Sequence, residues 1–264
     1  NDNNIISTDP TNSAWSGSGG NTELKPLEAD QFDLSYENYF HDNGFFAASF
    51  FFKDLKNWHR NITLINDFSA YYIPGFHQTS PDPITGEVRE PATFLGRLDI
   101  RQDGLQGFVR GYEFQASVPF DIIHEALDGF GIVASATFMD GKLDDGGRVP
   151  GLSEEIYTLT AYYEYKGFEF RISGTKRDEF QTEERGLSLS LQPVNRKGTE
   201  LWDAQIGYDF SESGIEALDG LRVTLQAQNL TDEKDISTSG DDTRQVITYQ
   251  SFGRNYMLGL NYKF

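Results

Sequence analysis

The feature that most limits how this chain can fold is a two-residue alternation of apolar and polar side chains, clearest at the carboxyl end. There Tyr256, Leu258, Leu260, Tyr262 and Phe264 share one parity, and Met257, Gly259, Asn261 and Lys263 share the other. Successive side chains of a strand point to opposite faces, so this segment predicts a strand with one broad apolar face and one mostly polar face. The period recurs upstream. Phe32, Leu34, Tyr36 and Phe40 alternate with Gln31, Asp33, Ser35 and Glu37, and Tyr112, Phe114, Ala116 and Val118 alternate with Gly111, Glu113, Gln115 and Ser117. Tyr157, Leu159, Ala161, Tyr163 and Tyr165 oppose Thr158, Thr160, Tyr162 and Glu164, and Trp202, Ala204, Ile206, Tyr208 and Phe210 oppose Asp203, Gln205, Gly207 and Asp209. Segments 132–138, 168–175 and 221–228 alternate likewise, and 45–58 is dense in aromatics. With 245–264 as the last, about nine strands are expected.

The intervening segments fall into two kinds. Residues 41–44, 121–131, 166–167 and 211–220 are short or compact, whereas 59–94, 140–151, 178–196 and 231–242 are mostly long and polar. Residues 1–27, rich in Asn, Ser, Gly, Thr and Asp, read as an exposed loop. Arg110 breaks the pattern by sharing parity with Tyr112 and Phe114, which predicts a bulge near Gly111 or an interfacial position for the guanidinium.

Composition narrows the choice. Aromatics are 14% of the chain, with 26 Gly, 2 Met and no Cys, which suits strands and tight turns and excludes a disulfide framework or a thiolate metal site. A net charge of −19 argues against nucleic acid, whose phosphates are held by Lys and Arg. No window reaches the roughly 20 apolar residues of a membrane helix, and mean hydropathy is −0.52. A membrane strand needs only about 9–11 residues and alternates, so window averaging cancels its signal.

Two-faced strands with short connections at one end and long ones at the other predict an all-β fold: a transmembrane, antiparallel, up-and-down β-barrel. The odd count adds a constraint. Single-chain bacterial barrels close with an even number of strands, and an open edge in lipid leaves backbone groups unsatisfied at several kcal/mol each, roughly. Either the true count differs by one or the chain is the back part of a larger barrel. A soluble all-β carbohydrate-binding module, which would bury the apolar faces in a core, and a small complete porin-like barrel remain open at this level.

Several ordered landmarks sharpen the choice. Gly20-Asn21-Thr22-Glu23-Leu24-Lys25-Pro26, Gly111-Tyr112-Glu113, Pro150-Gly151-Leu152-Ser153, Gln228-Asn229-Leu230-Thr231-Asp232-Glu233 and the closing run from Gly253-Arg254-Asn255-Tyr256 to Phe264 occur in sequence. Together they resemble the C-terminal barrel of TonB-dependent outer-membrane receptors, most closely the carbohydrate-uptake branch. The resemblance implies the last nine strands of a 22-stranded barrel over 28–264, with 1–27 an extracellular loop and the carboxyl terminus facing the periplasm. It implies a plug domain and TonB box that this sequence does not contain. The implied partners are outer-membrane lipid, the missing plug and barrel strands, the TonB complex, the barrel-assembly machinery and a small-molecule or oligosaccharide substrate. The alternating Tyr256, Leu258, Leu260, Tyr262 and Phe264 resemble the terminal assembly signal of outer-membrane proteins.

Catalysis is not expected. His41, His59, His77 and His124 are scattered, with no HExxH pair, G-x-S-x-G elbow or phosphate loop. No cofactor is expected, and Asp140, Asp144 and Asp145 lack the spacing of a calcium loop, so no metal site is assigned. Candidate ligand residues cluster at the long insertion: Trp58, His59, Arg60, Tyr71, Tyr72, Phe76 and His77, whose rings can stack on sugars or pack the insertion on itself. On the polar parity Asp33, Glu37, Glu113, Glu164, Glu169, Arg171, Arg177, Asp203, Asp209, Arg222, Gln226 and Gln228 predict a hydrated ion-pair lattice. Arg177 and Asp203, near the long-loop end, are its best-placed ligand candidates.

Overall fold

The computed structural model describes residues 2–185, 191–240 and 242–263. Their strands are β1 (Ser16–Gly19), β2 (Ala29–His41), β3 (Gly44–Asp67), β4 (Leu95–Pro119), β5 (Phe130–Leu143), β6 (Glu155–Tyr165), β7 (Phe168–Arg177), β8 (Phe180–Arg185), β9 (Leu191–Arg196), β10 (Thr199–Asp209), β11 (Leu221–Gln228), β12 (Lys234–Ser239), β13 (Val246–Ser251) and β14 (Asn255–Tyr262). Nine form one path in the order β14-β11-β10-β7-β6-β5-β4-β3-β2, which is an up-and-down meander, with β1 added to β4 in parallel. Two compact units divide the chain: residues within 1–29, 56–106 and 185–191, and residues within 30–55, 107–184 and 192–264.

In the second unit the registers bring matching parities together. Tyr112 pairs with Phe138, Ala134 with Leu159, Ala161 with Ile172, Phe170 with Ile206 and Leu225 with Leu258. One slipped residue would turn every apolar side chain to the wrong face, so pattern and register enforce each other. The apolar face is not packed away: Tyr112 is 53% exposed, Leu258 69% and Leu260 70%. The strands therefore do not form the buried core that a soluble sandwich requires.

The apolar face is bounded by rings at both ends. Phe130 stacks on Tyr163 at 4.0 Å between centroids, beside Tyr165 and Phe168, at the short-turn end. Phe138 meets Phe114 and Tyr157 at the other. Between them lie Ile132, Ala134, Ala136, Leu159, Ala161 and Ile172. From Phe130 to Phe138 the band runs about 27 Å along the strand. Beyond the upper rings the same parity turns charged, at Asp140, Lys142, Glu155, Lys176 and Glu200.

At the short-turn end one device appears three times. Gly129, Gly167 and Gly220 all have positive φ (86°, 78° and 80°). Their carbonyls accept from the N–H groups of Glu164, Asp209 and Lys263 at 2.9, 2.8 and 2.9 Å. A Cβ on any of them would lie 2.2–2.5 Å from the carbonyl oxygen of the strand alongside. Only glycine both reaches this conformation and leaves room for that approach. Two of these glycines close the same five-residue string, Glu125-Ala126-Leu127-Asp128-Gly129 and Glu216-Ala217-Leu218-Asp219-Gly220, and each string follows a first 3₁₀ turn with a second.

The structure corrects several expectations. β3 runs to Asp67, so the insertion spans 68–94, and Trp58, His59 and Arg60 sit in a strand. β5 extends through Asp140 to Leu143. The β4–β5 ladder has no bulge at Gly111, since the two strands pair from Gly107 to Pro119 without a shift. The glycine is there for close approach, because a Cβ would meet Phe138 O at 2.6 Å and the Phe51 ring at 2.7 Å. Arg110 faces Asp140 across the ladder, its Nε and Nη2 donating to Oδ2 at 3.1 and 2.8 Å.

The expected loops 178–196 and 231–242 contain strands β8, β9 and β12, and the expected ninth strand is two. Gly253, at φ 71°, breaks it between β13 and β14. β13, β12, β9 and β8 make a separate sheet in that order. Val194 at 2% exposure and Ser237 at 0% are buried there, and Arg196 bridges Glu184 at 2.7 Å and Asp235 at 3.3 Å. Polar sequences without alternation gave no warning of these strands.

Within 2–27 lie a helical turn at Asp2–Ile5 and strand β1, with Trp15 between them. In this first unit Trp15 is 7% exposed, and its Nε1 donates to Thr93 O at 2.8 Å. Gly96 lies flush against it, since a Cβ there would stand 2.1 Å from Trp15 O.

Candidate functional site

The insertion 68–94 is built on Trp15. Phe68 stacks on the indole at 6.2 Å, His77 approaches at 4.9 Å and Phe94 at 6.0 Å. Tyr72 packs edge-on to Phe94 and donates its hydroxyl to the Glu90 carboxylate. That hydrogen bond raises the phenol above its ordinary pKa, with desolvation and the Glu90 charge adding to it. His77 Nδ1 accepts from Ile73 N at 3.0 Å while its backbone N donates to Ile73 O at 3.1 Å, which closes a compact turn.

On this base two rings stand outward. Phe76, edge-on to His77 at 4.9 Å, is 74% exposed, and Tyr71, beside Phe68 at 6.1 Å, is 68% exposed. A second turn is held by Asp82, whose Oδ1 accepts from Ile84 N and Thr85 N, both at 2.8 Å. The Thr85 and Ile84 amides hold this carboxyl below its ordinary range.

The sequence-derived candidates therefore separate by role. Tyr72 and His77 are braces of the loop, and Tyr71 and Phe76 present free ring faces. His59 Nε2 lies 2.7 Å from Lys25 O and ties β3 to residues 20–26, while Trp58 and Arg60 lie beside it in β3. In the second unit Arg177 donates from Nε to Ser153 Oγ at 2.6 Å and from Nη2 to Gly151 O at 2.9 Å, with its guanidinium 3.8 Å from the Phe180 ring centroid. Asp203 Oδ1 accepts from Asn229 N at 2.8 Å. Arg177 thus pins the Pro150–Ser153 string and Asp203 the Gln228–Glu233 string. Tyr256, Leu258, Leu260 and Tyr262 share one face of β14 and are all exposed, and Phe264 lies outside the described residues.

Part of the expected lattice forms on the polar face. Glu169 accepts from Arg222 and from Gln205 Nε2 at 3.2 Å, Gln226 donates to Gln205 Oε1 at 3.0 Å, and Arg171 pairs with Glu164 at 3.3 Å. Near its short-turn end Tyr39, Asp42, Ser117, Tyr162, Glu164 and Arg171 border a concavity of about 710 Å³. Sequence reasoning had Glu164 and Arg171 on the right parity but gave no sign of a hollow. No group of His, Asp or Glu able to hold a metal occurs among the described residues.

The family profile described as TonB dependent receptor-like, beta-barrel, matches residues 1–230. The chain belongs to this family of receptor β-barrels. No curated protein matches it. Among solved structures it is similar to the pyoverdine receptor FpvA of P. aeruginosa, with 14% identity and a TM-score of 0.57 over 91% of this chain and 28% of that one. It is also similar to the ferric citrate transporter FecA, with 19% identity and a TM-score of 0.55 over 89% and 31%. The FrpB iron transporter from Neisseria meningitidis matches with 15% identity and a TM-score of 0.53 over 94% and 33%. Such identities speak for the fold alone, and the chain spans about a third or less of the length of these proteins.

Proposed function

We propose that the chain forms nine wall strands of an outer-membrane receptor that imports a scarce nutrient, with TonB coupling uptake to the energised inner membrane. The observation that carries this reading is the family match over 1–230 combined with strands whose ring-bounded apolar face is exposed. β2 and β14, the ends of the path, meet further wall strands of a longer polypeptide that also supplies the plug and the TonB-contacting segment. The carboxyl terminus faces the periplasm, on the short-turn side, and the long loops face outward.

The nutrient is an oligosaccharide. Tyr71 and Phe76 support this, because exposed rings on a braced loop stack on the apolar faces of sugars, which need no metal or catalytic group to be held. The test is uptake of labelled oligosaccharides and of ferric chelates by cells carrying the intact receptor or its Tyr71→Ala/Phe76→Ala variant. Saturable sugar uptake that the variant loses supports the reading. Uptake of ferric chelates alone overturns the sugar assignment, and uptake independent of TonB overturns the transport reading itself.

A further inference from the structure

On the polar face of the second unit, rings stand where the alternation calls for polar groups. Tyr39 on β2 shares parity with Asp33 and Glu37, Phe45 on β3 with Ser49, and Tyr162 on β6 with Thr160 and Glu164. All three border the concavity of about 710 Å³. Tyr162 is seated by a glycine. Gly131 pairs with it across the β5–β6 ladder, and a Cβ there would collide with Tyr162 Oη and Cζ, so the hydroxyl end of the ring lies flush on the sheet. On the far side Tyr39 and Phe45 stand 6.0 Å apart between centroids, and Tyr39 donates its hydroxyl to Glu37 Oε2 at 2.7 Å. From β3 to β6 is three strand spacings, about 14 Å along the sheet. Ser117 and Val133, on the two strands between, line the gap.

Charge meets the rings beside Tyr162. Arg171 Nη2 donates to Glu164 Oε1 at 3.3 Å, and the two side chains are 58% and 57% exposed. Most of their hydrogen-bonding capacity therefore serves water or a ligand. We propose that this concavity is a second carbohydrate subsite, on the inner face at the short-turn end, which shares no residue with the Tyr71 and Phe76 loop. A sugar chain offers apolar C–H faces and hydroxyls together. Its faces stack on Tyr162 and on the Tyr39 and Phe45 pair, and its hydroxyls bond to Arg171 and Glu164, an adjacent donor and acceptor. A wholly apolar occupant would strip water from that ion pair without replacing its hydrogen bonds, and a small ion would leave the rings uncovered. The inference rests on the oligosaccharide reading above.

The test is equilibrium dialysis of the full-length receptor in detergent against radiolabelled malto-, cello- and xylo-oligosaccharides, with bound sugar counted per receptor. Wild type is expected to bind at two sites. Tyr71→Ala/Phe76→Ala is expected to lose one, and Tyr162→Ala to weaken the other about tenfold. Tyr162→Phe, which keeps the ring, is expected to retain that site, whereas Gly131→Ala, which displaces the ring without removing it, is expected to weaken it. Arg171→Gln, which breaks an exposed ion pair of little weight in stability, is expected to weaken the same site and guards against misfolding. Two full-strength sites in both Tyr162→Ala and Arg171→Gln overturn the inner subsite. A single site in wild type overturns it too, and leaves the rings as a packing surface for another part of the longer polypeptide. Binding of none of these sugars by wild type overturns the oligosaccharide reading itself.

Discussion

Asp203 Oδ1 accepts the backbone N–H of Asn229 at 2.8 Å, and this contact fixes the end of β11 against β10. Asn229 has φ 54°, a left-handed conformation that Asn tolerates better than most residues. Its Nδ2 donates to Glu233 O at 3.1 Å and Gly253 O at 3.0 Å, and its Oδ1 accepts from Glu233 N at 2.6 Å. Leu230 N donates to Trp202 O at 2.8 Å and Thr231 Oγ1 to Glu200 O at 2.7 Å. One asparagine therefore ties three segments. Asn229→Ala is expected to cost about 2–4 kcal/mol, from several hydrogen bonds at roughly 1 kcal/mol each plus backbone strain. Asp203→Ala is expected to cost about 1–2 kcal/mol. Urea unfolding of the detergent-solubilised receptor checks both, and an unchanged midpoint for Asn229→Ala would remove the hub.

The three rim glycines make a graded prediction. Gly129→Ala, Gly167→Ala and Gly220→Ala each combine left-handed strain with a carbonyl contact, for about 2–4 kcal/mol. Gly146→Ala, at φ 86° with nothing within 4 Å of the added methyl, bears the strain alone, about 1 kcal/mol. The four unfolding midpoints should therefore fall in two groups, with Gly146→Ala nearest wild type.

On the polar face the two ion pairs should differ. Glu169 has a side chain 21% exposed and also accepts from Gln205, so Arg222→Ala leaves a half-buried carboxylate short of its strongest donor. It is expected to destabilise by about 1–2 kcal/mol. Arg171 and Glu164 are 58% and 57% exposed, and Arg171→Ala is expected to change stability by less than about 0.5 kcal/mol. Double-mutant cycles on each pair measure the difference directly.

The Tyr72–Glu90 contact gives a pH signature. Because the carboxylate accepts the phenol proton, Tyr72 titrates above an ordinary tyrosine in the folded protein. The raised value means that the contribution of this contact is fully present below the unfolded phenol pKa. It is lost as pH rises through the higher folded value. In a phenolate absorbance titration of wild type minus Tyr72→Phe, one late-titrating tyrosine is expected, and Glu90→Gln should return it to the ordinary range.

Sequence and structure agree wherever a side chain's role is decided by its immediate neighbours along the chain. The alternation in 31–40, 157–165 and 202–210 specified strands and faces because one face of each is apolar throughout and a slip by one residue would invert it. It also brought Glu164, Glu169, Arg171 and Arg222 to one side, where the ion pairs form. The candidate loop was legible as a cluster of rings, but not which rings brace and which are free, because that depends on Trp15, more than fifty residues upstream of the insertion. Arg177 and Asp203 had the polar parity expected of ligand contacts, and nothing local revealed that Ser153 and Asn229 already claim them.

What the sequence by itself determined is the periodic part: nine two-faced strands, their order, and short turns at one end with long segments at the other. Only the tertiary structure decided the rest. The β8, β9, β12 and β13 sheet joins polar segments separated by tens of residues, whose partners are selected by packing around Val194 and Ser237 and not by any repeat. The break at Gly253, the straight ladder past Gly111 and the seating of Tyr162 on Gly131 arise the same way. Period-two chemistry is local and can be read along the chain, whereas who stands opposite whom is a long-range choice made only when the strands meet.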